Sequence, residues 1–114
     1  MIPNFIMKKL IINFSKFSFL LIIFLSIFNQ VRSDEMYNKG KTIFLEQGNC
    51  AACHTLLDAG SDGNIGPNLN EIRPDLMRVI VAVTNGIGVM PAYQGELSTE
   101  EIEAVAHYVS VSAE

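Results

Sequence analysis

Two unlike apolar patterns divide this chain of 114 residues. From Phe17 to Phe28 there are 12 uncharged positions in a row, Phe-Ser-Phe-Leu-Leu-Ile-Ile-Phe-Leu-Ser-Ile-Phe, with no polar face. From Glu35 onward the apolar residues return at helical spacing between polar and turn-forming stretches. Met36, Lys39-Gly40, Ile43 and Phe44 predict a first helix over Glu35 to Gln47, stopped by Gly48-Asn49. Pro74 stands where a first helical residue is expected, and Leu76, Val79, Ile80 and Val83 follow at i, i+3, i+4 and i+7, predicting a second helix that ends at Asn85-Gly86. Ser98-Thr99-Glu100-Glu101 reads as a capping box that opens a third helix, with Ile102, Val105, Ala106 and Val109 as its buried stripe. Asp58 to Asn68 is dense in turn formers and reads as a loop. No alternating strand pattern and no repeat occurs, so the expected class is all-α, a compact fold of three main helices.

The apolar run sits in a leader. Lys8, Lys9 and Lys16 precede it, and it is shorter than the roughly 20 residues that span hydrocarbon, which is the layout of an export signal. Val31-Arg32-Ser33 leaves a small residue before a cut, so residues 1–33 are expected to be removed and the mature chain to start at Asp34. If Leu10, Ile11 and Ile12 join the apolar segment, the leader is instead long enough to stay as a membrane anchor. With one Arg and a solid apolar block it does not resemble a mitochondrial transit peptide, and a bacterial periplasm fits better.

Cutting there changes the charge. All 12 acidic residues lie from Asp34 onward, where only Lys39, Lys41, Arg73 and Arg78 are basic, so the net charge moves from −4 for the whole chain to −8 for the mature part. That surface disfavours nucleic acid and anionic lipid; it suits a partner with a basic docking face, or serves solubility alone. The remaining 81 residues form one domain, a size at which a protein core is marginal without a staple or cofactor.

Cys50-Ala51-Ala52-Cys53-His54 nominates the staple. Two thiols three residues apart followed by histidine is the pattern of covalent haem attachment. In a helical turn both sulfurs lie on one face, where they reach the two vinyl groups of a porphyrin edge while the next residue reaches the iron. Two cysteines in an exported chain would otherwise join as a disulfide. A ligating histidine donates its other ring N–H to a fixed acceptor, and the Gly66-Pro67 turn can supply that carbonyl.

The sixth ligand is sought in the loop Gly86-Ile87-Gly88-Val89-Met90-Pro91-Ala92-Tyr93. Its glycines allow close approach to a flat ring, Pro91 stiffens the position beside Met90, and a thioether favours ferrous iron and raises the potential. Met36 and Met77 read as packing residues. His107 lies off the stripe of the third helix and reads as an edge position. Asp58, Asp62 and Asn64 miss the EF-hand spacing and read as turn residues.

Cys50-Ala51-Ala52-Cys53-His54, Gly66-Pro67-Asn68-Leu69 and Met90-Pro91, in that order over nearly all of residues 35 to 111, resemble the small class I monohaem c-type cytochromes. The resemblance implies one covalent haem c per chain, thioethers at Cys50 and Cys53, iron ligation by His54 and Met90, and a Pro67 carbonyl that accepts from His54. Leu69 and Tyr93 complete the implied haem-binding set. It also implies a crossing of the first and last helices at Gly40, Phe44 and Tyr108. The phrases His54 to Gly60, Ile65 to Leu69 and Asn85 to Ala92 further resemble cytochrome subunits that accompany periplasmic molybdenum sulfite dehydrogenases.

The function so implied is an electron carrier rather than an enzyme, docking transiently with a redox donor and acceptor through apolar residues such as Ala51, Ala52, Ile87 and Val89. A tightly bound subunit of a periplasmic oxidoreductase such as sulfite dehydrogenase is the alternative. A haem enzyme or gas sensor needs an open sixth site, where the loop offers Met90. A thioredoxin-like dithiol lacks the alternating strands and helices, and zinc lacks four suitable ligands.

Overall fold

A computed structural model describes residues 1–114, and it divides into two compact units, Met1–Ser33 and Asp34–Glu114. In the first, the chain is helical from Asn4 and its apolar side chains are exposed. Ser26 and Asn29 return their side-chain donors to the carbonyls of Ile22 and Leu25 four residues back, so the helix satisfies its own polar groups. The stretch Asn4–Gln47 is long and apolar enough to cross a membrane, a test that an export signal near the N-terminus also passes.

The second unit holds the last turns of the helix α1 (Asn4–Thr42), which close in a π-helical turn over Ile43–Gln47. Gly48 N–H reaches back five residues to the Ile43 carbonyl at 2.7 Å. That widened turn ends the helix just before Cys50. The short helix α2, Leu69–Ile72, was not expected; Asn68 caps it by accepting from Asn70 N–H. α3 runs Leu76–Asn85, and its cap is Asp75, whose side chain accepts from Arg78 N–H. Pro74 therefore lies before the helix rather than at its first position, because Asp75 offers a stronger stop for the unpaired amides. α4 runs Thr99–Ser112 and opens with the capping box, Ser98 bonded to Glu101 N–H and the Glu101 carboxylate to Ser98 N–H.

The core lies where α4 packs on α3 and on the end of α1. Ile102, Val105, Ala106 and Val109 are all buried, joined by Ala104 and Tyr108. A Cβ on Gly40 would strike the Ala104 carbonyl oxygen and come within 2.6 Å of Tyr108 Cβ, so only glycine lets the two helices approach this closely. Phe44 and Tyr37 then meet the Tyr108 ring edge-on at 5.7 and 5.1 Å. On α3, Val79 and Val83 are buried and Ile80 partly so, whereas Leu76 in the first turn is exposed.

The fold is mostly helical, as expected, with one short addition: β1, Thr55–Leu56, pairs antiparallel with β2, Ser61–Asp62. Leu56, fully buried, anchors the pair, and the Ser61 hydroxyl accepts from Leu56 N–H. Strands of two residues are too short to leave an alternation in the sequence. Met36 and Met77, read as packing residues, are exposed, Met77 by 62%. Helical neighbours of a stripe are not members of it.

Candidate haem site

One cavity of about 550 Å³ opens into the second unit, and every residue that the sequence assigns to a cofactor lines it: Cys50, Cys53, His54, Pro67, Leu69, Met90 and Tyr93. Its walls are largely aliphatic, with Val79, Ala82 and Val83 from α3 and Val105 and Val109 from α4. His107, Met36 and Met77 are not among the lining residues.

The attachment segment is shaped by short-range bonds. Asn49 takes a left-handed conformation at φ 48°, a 3-10 turn follows over Cys50–Ala52, and the Cys50 carbonyl accepts from the N–H groups of Cys53 and His54 at 3.1 and 3.0 Å. Both thiols are free and half-buried. Burial pushes the Cys50 thiol up to about 11. Gly66 N–H binds the Cys53 carbonyl at 2.7 Å and brings the next carbonyl, that of Pro67, to 2.9 Å from His54 Nδ1. A carbonyl can only accept, so Nδ1 carries the proton and the lone pair of Nε2 remains free for a metal. A Cβ on Gly66 would lie 2.5 Å from His54 Cε1; the imidazole rests against bare backbone.

The second segment is the loop between α3 and α4. Ile87 and Met90 exchange both backbone bonds, N–H to carbonyl at 3.1 and 3.0 Å, which closes a tight turn with Val89 at its exposed tip. Met90 is half-buried and packs against the core. Tyr93 follows, its N–H on the Val83 carbonyl at 2.9 Å and its hydroxyl donating to the Gly48 carbonyl at 2.7 Å. Burial raises its phenol above the ordinary value.

These residues fit a covalently held haem. The cavity is apolar as a porphyrin requires, two unpaired thiols lie in its wall, and one imidazole is oriented with a free nitrogen. The thioether of Met90 lines the same space. The sequence reading missed Arg78, the one cation on the cavity wall, and Phe44, which it placed only in the helix crossing. Arg78 was detectable: it lies four residues before Ala82, on the same face of α3.

Residues 35–109 match the family model described as cytochrome C oxidase, cbb3-type, subunit III. Cytochrome c6 from Microcystis aeruginosa is 37% identical over 83 residues, covering 66% of this chain and 95% of that protein. Cytochrome c6 from Pyropia yezoensis is 36% identical over 115 residues, 94% of this chain and 96% of that protein. The crystal structure of the c-type cytochrome SorU from Sinorhizobium meliloti superposes with a TM-score of 0.67 at 55% identity, covering 70% of this chain and 93% of that one.

Proposed function

The chain belongs to the c-type cytochromes, electron-transfer haemoproteins, and on that premise we propose that it is a periplasmic single-electron carrier with one haem c bound through Cys50 and Cys53 and ligated by His54 and Met90. The observation that carries the reading is the convergence on one apolar cavity of both thiols, the Pro67-oriented imidazole and the Met90 thioether. When bound, the haem supplies an iron that alternates between ferric and ferrous states without changing its ligands. Pro67 keeps His54 in the tautomer whose Nε2 faces away from the proton, and raises its basicity. The aliphatic walls exclude water from the site, and the thioether of Met90 favours the reduced state.

Residues 1–33 act as the export signal, cut after Ser33. The mature chain, with its net charge of −8, then meets a donor and an acceptor with basic faces. Ile87 and Val89, 66% and 87% exposed, together with exposed Ala52, give an apolar contact beside the cavity. Such redox encounters typically bury less than roughly 1,200 Å² in total.

An absorbance spectrum of periplasmically matured protein, with a pyridine haemochrome, tests this. A thioether-type haemochrome with the weak ferric band at about 695 nm that marks iron–methionine ligation is expected. Haem without that band would remove Met90 and reopen the enzyme or sensor class, to which carbon monoxide binding by the reduced protein would point; absence of haem would defeat the reading. A second reading, a tightly held subunit of a periplasmic oxidoreductase such as sulfite dehydrogenase, draws on the phrases His54 to Gly60 and Asn85 to Ala92. Copurification of a large catalytic subunit with this chain separates it from the free carrier.

A further inference from the structure

We propose that the Tyr93 hydroxyl is a positioning group that locks the Met90 loop to the segment leading into Cys50, and so sets how easily the Met90 thioether leaves its place in the cavity. The inference rests on Met90 being an iron ligand.

The loop has few holds of its own. Ile87 and Met90 bond only to each other, Pro91 has no N–H, and Ile87 and Val89 are exposed. Tyr93, three residues beyond Met90, is where the loop is tied down. Its N–H donates to the Val83 carbonyl in α3, and its own carbonyl accepts from Glu96 and Leu97 N–H in the turn toward α4. Its hydroxyl crosses 45 residues of sequence to the Gly48 carbonyl, two residues before Cys50, at 2.7 Å. The first three bonds use backbone and survive Tyr93→Phe. The fourth is specific to tyrosine and alone joins the loop to the attachment segment. Gly48 is itself buried and pinned, its N–H on the Ile43 carbonyl at 2.7 Å, so the acceptor is a fixed point. Tyr93 also lines the cavity, so its ring contacts and its hydroxyl bond act on different neighbours and can be separated.

Tyr93→Phe removes the hydroxyl and leaves the ring and backbone bonds. The test titrates exogenous imidazole into the ferric holoprotein, following loss of the band at about 695 nm, and in parallel measures the guanidinium midpoint of global unfolding. Expected is an imidazole affinity about two- to tenfold higher in Tyr93→Phe, the range for one lost hydrogen bond, with a fall in global stability of similar size because unfolding breaks the same bond. Equal imidazole affinities would overturn the proposal. So would an equal gain in affinity in Gly40→Ala, which loosens the helix crossing away from the loop, because the effect would then be general destabilisation and not release of the Met90 loop. Failure of Tyr93→Phe alone to acquire haem would also overturn it, because the hydroxyl is assigned to the assembled loop and not to attachment. Absence of the band from the unaltered protein would instead defeat the Met90 reading beneath it.

Discussion

Asp58 shows how far a single side chain can be committed by its neighbours. Read from the sequence it is one of several turn formers, yet its carboxylate Oδ2 accepts from Lys41 Nζ at 2.9 Å and from the Tyr108 hydroxyl at 2.8 Å. Lys41 and then Tyr108 hold the carboxyl below its ordinary value of 3.8. Tyr108 is displaced upward, first by burial and then by its bond to Asp58. A folded value below the unfolded one means that the unfolded chain binds more protons, so this stabilisation is complete above pH 3.8 and is lost as pH falls through the lower folded value. The Asp58 side chain is 36% exposed, so solvent screens the effect and added salt weakens it. Tyr108→Phe removes one donor, and the acid limb of stability is expected to move to higher pH. Urea midpoints collected from about pH 2 to 7 will show it, and an unmoved limb would mean that Tyr108 contributes nothing beside Lys41.

At the scale of elements, the crossing of α1 and α4 carries the clearest prediction. Gly40→Ala improves helix propensity by about 1 kcal/mol. The same methyl strikes the Ala104 carbonyl and the Tyr108 side chain, both in the core of the crossing, and overpacking of that kind costs about 1–3 kcal/mol. The backbone of α4 cannot turn aside as a surface side chain would, so the loss wins and a lower urea midpoint is expected. An unchanged or higher midpoint would mean that the helices can part freely. Element types were largely readable beforehand: the α4 stripe and capping box follow from residue identity and spacing, and so does the placement of α3. The π-helical end of α1, the helix α2 and the pair β1–β2 were not. Each spans two to five residues, too few for a hydrophobic period to show, and the Asn70 side chain of α2 is bonded to Leu57 N–H at 2.8 Å, a pairing that no local pattern marks.

At the scale of the whole molecule, an 81-residue unit encloses a cavity of about 550 Å³, so its own side chains leave the interior incomplete. A group that binds only the folded state adds its binding free energy to stability. The double substitution Cys50→Ser and Cys53→Ser is expected to give a haem-free chain that keeps helical circular dichroism, loses near-ultraviolet structure, binds a hydrophobic dye and unfolds without a sharp transition. Cooperative unfolding of that variant at the stability of the parent would show that the cavity closes without a cofactor. The sequence by itself determined what is local: the thiol spacing and adjacent histidine, the helix periods and caps, the apolar leader and the acid excess beyond Asp34, because these depend on covalent geometry and residue chemistry within a few positions. Only the tertiary structure decided that Tyr93 reaches Gly48 and that Asp58 closes on Lys41 and Tyr108. Those pairings join residues far apart in the chain, and they exist because helix packing brings the atoms within hydrogen-bond distance.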